Sequence, residues 1–266
     1  MQKLKKLFNG LLLLIKKPSL INEVLESDLV WQEKVNYQTF PVVEIENLVP
    51  NFNETLSIFS FLGGGSLPTD IMLLKALARQ IKDCSYFEIG TWRGESVVNV
   101  SETAKECYTL NLSKKEMLDL KMPKEYAELH GFFSKNKKNI QHLYGNSLTY
   151  DFKGLNKKFD LIFIDGNHKY DFVKNDTKQV FKHLVHKNTI VVWHDYAYNP
   201  EKIRSEVLKG ILDGLPKEMH QNLYHVSNTM CAIYYPENLQ STRFTSIKKP
   251  DKYFKVSTKM VKIKSL

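Results

Sequence analysis

The sequence predicts an α/β fold: a mostly parallel sheet with helices on both faces. Three observations support this. Short apolar runs recur along the middle of the chain and end in polar or acidic residues, stretches with helical periodicity separate them, and one run passes through paired glycines into the start of a helix. Apolar runs that do not alternate are what a strand buried on both faces requires.

The organising stretch is Tyr86-Phe-Glu-Ile-Gly-Thr-Trp-Arg-Gly-Glu-Ser96, which reads as strand, tight turn and helix start. Gly90 can supply the positive φ of such a turn, and Gly94 lets the next helix lie close to a bound molecule. Glu88 is expected beside the mouth of the turn. A pyrophosphate-binding fingerprint needs glycine two places after Gly90, but Trp92 stands there. The loop therefore suits a nucleoside-bearing ligand without a diphosphate. A branched side chain at Gly90 is expected to block both turn and site while leaving a folded protein.

Residues 1–65 differ in character, mixing Leu-rich and Lys-rich stretches with aromatics such as Trp31 and Phe40, and read as a helical extension, a cap or lid. Gly63-Gly-Gly65 is a linker or hinge. Pro68-Thr-Asp70 opens a helix with Ile71, Leu74, Leu77, Ala78 and Ile81 on one face. Strands are expected at Cys107–Leu112, Ile140–Tyr144, Phe159–Asp165 and Thr189–Asp195, with a helix over the polar 114–139 stretch and another carrying Val173, Val180, Phe181 and Leu184. Leu223–Ser227 and Cys231–Tyr235 flank Asn228-Thr-Met230 as an antiparallel hairpin. The principal domain spans 66–236, and a basic tail, 237–266, is expected to add an edge strand between Phe254 and Ile263.

The net charge of +9 lies at the ends: residues 1–20 carry +5 and residues 241–266 carry +7, leaving −3 on the body. A nucleic-acid groove would put positive charge on the folded body, so no nucleic-acid partner is expected. Cys84, Cys107 and Cys231 lack metal-like spacing and read as reduced core residues of a cytoplasmic protein. Only five consecutive apolar residues, 11–15, follow the first lysines, too few for a signal core or a membrane span. Two readings of this segment stand: a helix packed on the domain, or an amphipathic helix giving weak peripheral contact with a membrane.

In an open parallel sheet, ligands bind beyond the carboxyl ends of the strands. Gly90, Asn111, Asn146, Ser147, Asp165, His168, His194 and Asp195 are all expected there. If their strands are neighbours, Asp165 and Asp195 converge, and a hard divalent cation, magnesium first, relieves their repulsion. Should His194 join them, the choice shifts toward manganese, iron or zinc. The alternative is that one aspartate caps a helix and the other is merely solvated. His168, three residues past Asp165, can act as a base near neutral pH. Asn111 stands about twenty residues past Gly90, where nucleoside-binding folds place an acid for the ribose.

Together, Glu-Ile-Gly-Thr-Trp-Arg-Gly-Glu-Ser, Phe-Asp-Leu-Ile-Phe-Ile-Asp-Gly-Asn-His-Lys-Tyr and Ile-Val-Val-Trp-His-Asp-Tyr resemble three motifs of class I S-adenosylmethionine-dependent methyltransferases. Within that class the chain is most similar to the metal-dependent small-molecule and sugar O-methyltransferases. The resemblance implies a Rossmann-like, seven-stranded sheet with the hairpin at its far edge. It implies S-adenosylmethionine held by Glu88, Gly90, Thr91, Trp92, Gly94 and Ser96, with Asn111, Asn146, Ser147 and Asp165 completing the site. It further implies a divalent metal at Asp165 and Asp195 with His194 beside them, His168 as base, and a small-molecule or glycan acceptor. Asn111 and Asn146 stand where the family commonly has an acid, and Asn167 replaces another. A non-catalytic module of the same fold, or one with other metal-centred chemistry, is the competing reading. The oligomeric state is open, a homo-oligomer included.

Overall fold

The protein is described from a computed structural model covering residues 2–21, 28–34 and 38–263. Parts of the expected extension (22–27 and 35–37) and the last three residues of the tail lie outside the described residues.

Among these, one sheet of eight strands forms the centre. From one edge to the other it runs β1 (Val42–Val43), β9 (Leu223–Val226), β10 (Ala232–Tyr234), β6 (Ile190–Trp193), β5 (Leu161–Ile164), β2 (Ser85–Ile89), β3 (Glu106–Asn111) and β4 (Ile140–Tyr144). The pairs from β6 to β4 are parallel, and β10 runs antiparallel to both β6 and β9. The expected mostly parallel sheet and antiparallel hairpin are therefore present, but the sheet has one strand more than the seven expected, and that strand rather than the hairpin forms the edge. The addition is β1, in a region read as helical. Its two valines lie parallel to β9, where Pro41 O accepts from His225 N and Val43 O from Ser227 N, both at 2.9 Å. β-Branched side chains favour this extended pairing. A separate two-strand hairpin, β7 (Ala197–Asn199) and β8 (Lys202–Ile203), was not foreseen.

Alternation along the strands divides the core in two. Phe87, Ile89, Ile162, Ile164, Val191 and Trp193 face the helices α8 (Tyr170–His183) and α9 (Ser205–Gly214). Tyr86, Leu161, Phe163 and Val192 face α4 (Pro68–Gln80) and α5 (Glu95–Val100). All three cysteines are buried and free.

The extension holds α1 (Gln2–Lys16), α2 (Asp28–Lys34) and α3 (Ile45–Leu48). Trp31 of α2 stacks on Tyr170 at 5.3 Å, and Asp28 accepts a hydrogen bond from Ser205 N at 2.6 Å, docking α2 at the start of α9. Residues 57–65 lie along α5: Asn99 Oδ1 accepts from Ser57 N, and Arg93 donates to Gly63 O at 3.0 Å. The glycine loop is thus fastened over the turn that follows β2.

Two further expectations are corrected. The 114–139 stretch is not one helix but α6 (Lys114–Asp119), α7 (Lys124–Leu129) and turns. Pro123 separates the two, since it lacks an N–H and disfavours helical geometry in Met122. The tail forms no strand between Phe254 and Ile263. Among the described residues its one β-bridge to the sheet joins Thr242 to Val42, while Lys248 and Lys252 bind Glu44, and Lys252 also binds Glu46, at 2.6–2.8 Å.

Candidate active site

The ladder of each central strand continues one residue past its end and thereby fixes the site residues. Gly90 N donates to Leu110 O, Asp165 N to Ile89 O, Gly145 N to Asn111 O and His194 N to Ile164 O, all at 2.8–3.0 Å. Because β5 and β6 are in parallel register, with Ile164 opposite Trp193, Asp165 and His194 leave the sheet side by side. Asp195 then turns through a positive φ of 55°. That region is costly for most side chains and tolerated best by Asn, Asp and Gly, and strained backbone of this kind concentrates at functional sites.

The predicted cluster is assembled. His194, 7% exposed, has Nδ1 3.0 Å from Asp165 Oδ1 and 3.4 Å from Asp195 Oδ2. Neither oxygen lies where a hydrogen bond from Nδ1 would point, so this buried nitrogen has no hydrogen-bond partner. Ligand atoms of Asp165, His194 and Asp195 lie within 4.8 Å of one another. His168 Nδ1 stands 3.6 Å from Asp195 Oδ2 with about half its side chain exposed. Between them lies a cavity of about 10 Å³, lined by Asp165, Gly166, His168, His194 and Asp195, room for a single water-sized species.

Two residues of this site escaped the sequence reading. Asp70, fully buried, accepts from His194 Nε2 at 3.1 Å, from Leu67 N at 2.6 Å and from Met230 N at 2.9 Å. In sequence it reads only as the residue closing the first turn of α4. Arg204 places Nη1 3.3 Å from Asp195 Oδ1 and stacks over Tyr198 at 4.5 Å. No motif surrounds it.

These contacts set the charges. Burial alone would lower the His194 pKa, but the carboxylates around it, Asp165 foremost, raise it well above the usual imidazole range. Burial also works to raise Asp195, and is outweighed by His194 and Arg204, which bring it to about 2. For Asp165 burial prevails over the pull of His194, so its pKa is raised. His168 is lowered, first by burial and then by the positive charge of Arg204, and is therefore a free base at neutral pH.

The turn after β2 has the expected shape but not all the expected exposure. Gly90 and Gly94 have φ of +99° and +80°. A Cβ on Gly90 would lie 2.0 Å from Asp165 O, and one on Gly94 2.3 Å from Ser134 Oγ, so at both glycines the space is taken by the protein's own chain. Glu88 is not at the mouth of the turn. It is fully buried beneath it, accepting from Tyr86 Oη, Ser96 Oγ and Thr109 Oγ1 at 2.8–2.9 Å, which also turns Ser96 inward. Thr91 is buried against Thr109, and Trp92 lies against Tyr126 at 4.6 Å with Gly64 packed beside its indole nitrogen. Asn111 donates to Leu112 O at 3.2 Å, Asn146 Oδ1 accepts from Leu148 N at 3.0 Å, and Ser147 O accepts from Asn175 at 3.1 Å. The two asparagines stand at the carboxyl ends of β3 and β4, on neighbouring strands.

Residues 87–196 match the family model described as a methyltransferase domain. No curated protein matches the sequence. Among solved structures, the chain is similar to the SAH-bound methyltransferase PaMTH1 of Podospora anserina, with 20% identity over 64% of this chain and 80% of that one and a TM-score of 0.48. It is also similar to an O-methyltransferase from Bacillus cereus in complex with SAH, at 17% identity over 65% and 82% with a TM-score of 0.46. A third likeness is to the O-methyltransferase TomG of Streptomyces achromogenes in complex with SAM, at 15% over 64% and 81% with a TM-score of 0.42. The family match and the site geometry, rather than these distant likenesses, carry the functional reading.

Proposed function

We propose, for a chain whose residues 87–196 match a methyltransferase domain, that it transfers the methyl group of S-adenosylmethionine to a hydroxyl oxygen of a small molecule or sugar. A divalent ion at Asp165, His194 and Asp195 and a base at His168 complete the reading. The observation that carries it is His194: Nε2 is held by Asp70, while Nδ1 is buried, without a hydrogen-bond partner, and set between two carboxylates. A carboxylate behind one imidazole nitrogen, with the other left for a cation, is the arrangement that orients a metal-bound histidine. Two carboxylates and one imidazole shift the preference from magnesium toward manganese or iron.

When bound, S-adenosylmethionine supplies a methyl group on a good leaving group, and a divalent cation makes a coordinated hydroxyl more acidic. The protein's own part is to align and to accept a proton. His168, neutral at pH 7 and open to solvent, can take the acceptor's hydroxyl proton at Nδ1 or Nε2, which adds roughly 10²–10⁴ in rate. Arg204 then keeps Asp195 ionised and facing the cavity. On the cofactor side, the Gly90–Gly94 turn would hold the amino-acid end. Asn111 uses only an N–H within the chain, so its carbonyl oxygen can accept one ribose hydroxyl.

A second reading has its own observation: a protonated His194 and Arg204 already balance Asp165 and Asp195 without a metal. Calorimetry separates the two. Binding of manganese must displace the His194 proton, so the heat should vary with the ionisation enthalpy of the buffer. Asp165→Asn should abolish that binding and leave affinity for S-adenosylmethionine nearly intact. Absence of binding at millimolar S-adenosylmethionine would remove the methyltransferase reading. Full methyl transfer in the presence of EDTA would remove only the metal.

A further inference from the structure

We propose that α1 is an interfacial anchor that lies along an anionic lipid bilayer. Of its fifteen residues, Gln2–Lys16, none is buried. Leu4, Leu7, Phe8, Leu11, Leu12 and Ile15 are between 41% and 75% exposed, so the reading of a helix packed on the domain does not hold. At about 100° per residue these six side chains share one arc, roughly 140° wide. Lys3 falls near one border of the apolar face, Lys5 and Lys16 fall near the other, and Lys6 falls opposite it. Leu13 is the exception, an apolar residue on the lysine side.

An exposed helix of this kind needs a partner. Fifteen residues without tertiary packing are marginally helical in water. Gly10 weakens the helix further, and three lysines at its amino end oppose its dipole. The charge pattern selects the partner. Five lysines and no acid occur in residues 1–20, while the aliphatic stems of Lys3 and Lys5 can reach along the apolar face with their ammonium groups in the headgroup layer. No helix among the described residues is long and apolar enough to cross a membrane, so α1 lies on the surface and does not span it. The C-terminal lysines are a poorer candidate, because Lys248 and Lys252 are already bound to Glu44 and Glu46. This inference does not depend on the methyl-transfer chemistry.

Flotation of the full chain with vesicles tests it, using phosphatidylcholine alone or mixed with phosphatidylglycerol, at low and at physiological salt. The protein should float with the anionic vesicles, about tenfold or more better than with neutral ones at low salt, and the preference should shrink as salt rises. Leu7→Glu with Leu11→Glu should abolish flotation and leave the unfolding midpoint unchanged, because α1 buries nothing. Lys3→Gln, Lys5→Gln and Lys6→Gln together should remove the preference for anionic lipid. No flotation at low salt, equal flotation with both lipids, or undiminished flotation of the double glutamate variant would overturn the proposal. So would a wild-type dimer in sedimentation velocity that the glutamate pair dissociates, if vesicles bind neither form, since α1 would then cover a second copy of the chain.

Discussion

His194 Nε2 and Asp70 Oδ2 lie 3.1 Å apart although 124 residues separate them in sequence. The contact ties the first turn of α4 to the end of β6. It also fixes which imidazole nitrogen faces Asp165 and Asp195. Leu67 N donates to Oδ2 of Asp70 and Met230 N to Oδ1, so Asp70→Asn would keep an oxygen acceptor for only one of these two N–H groups and would lose the charge behind His194. Manganese affinity should fall by about 10–100-fold, as is typical when the partner behind a metal-bound histidine is removed. Calorimetric titration checks this, with the unfolding midpoint as a control for the helix.

His168 should control the acid side of the rate profile. Burial and Arg204 both hold its pKa below the ordinary 6.5, so the neutral form dominates at pH 7 and is lost only as pH falls below that value. His168→Gln should therefore reduce turnover by roughly 10²–10⁴ at neutral pH and flatten the acid limb. A profile of kcat/KM against pH with a saturating metal decides it. An unchanged acid limb in the variant would assign the base elsewhere.

The difference between Asp165 and Asp70 shows what the sequence could disclose. Asp165, His194 and Asp195 end apolar runs, and strand ends in a parallel sheet collect at one edge, so their convergence was legible once the runs were recognised. Asp70 and Arg204 reach the same point from a helix start and a loop, and nothing local marks either. Their roles exist only through the packing of α4 and of the segment after β8. Glu88 shows the opposite failure. Its position in the motif was readable, but whether the carboxylate faced out or in depended on Tyr86, Ser96 and Thr109 surrounding it. Likewise β1 is two residues long, and its pairing depends on β9, some 180 residues away.

Gly90 is more constrained than a ligand-facing turn would require. At φ +99° with Asp165 O 2.0 Å from the place of a Cβ, even alanine forces β2 and β5 apart at the site. The left-handed backbone alone costs about 1–2 kcal/mol, and the contact adds to it. Gly90→Ala should lower stability by at least about 2–3 kcal/mol in urea unfolding, and Gly90→Val by more. The branched variant is thus expected to lose its fold along with cofactor binding, contrary to the simpler expectation from the motif. A Gly90→Val protein as stable as wild type would show that this contact relaxes without cost.

Glu88 should make the core sensitive to pH in a direction opposite to that of a salt-bridged acid. Burial raises its pKa from 4.5 to about 8, against the pull of the Thr109, Tyr86 and Ser96 hydroxyls. The unfolded chain releases this proton near 4.5 and the folded chain holds it until about 8. Between those values the unfolded state binds fewer protons, so the contribution of this group to stability falls as pH rises and levels off above about 8. At about 1.4 kcal/mol for each pH unit between the two values, the full change is on the order of 5 kcal/mol, an upper bound for so buried a group. Glu88→Gln keeps a neutral side chain of similar shape among the three hydroxyls and removes the titration. Measured by urea unfolding at about pH 5, 7 and 9, the stability of the variant relative to wild type should rise between the first two and rise less between the last two. A difference that stays constant across the three would mean that Glu88 ionises as easily in the folded protein as in the unfolded chain.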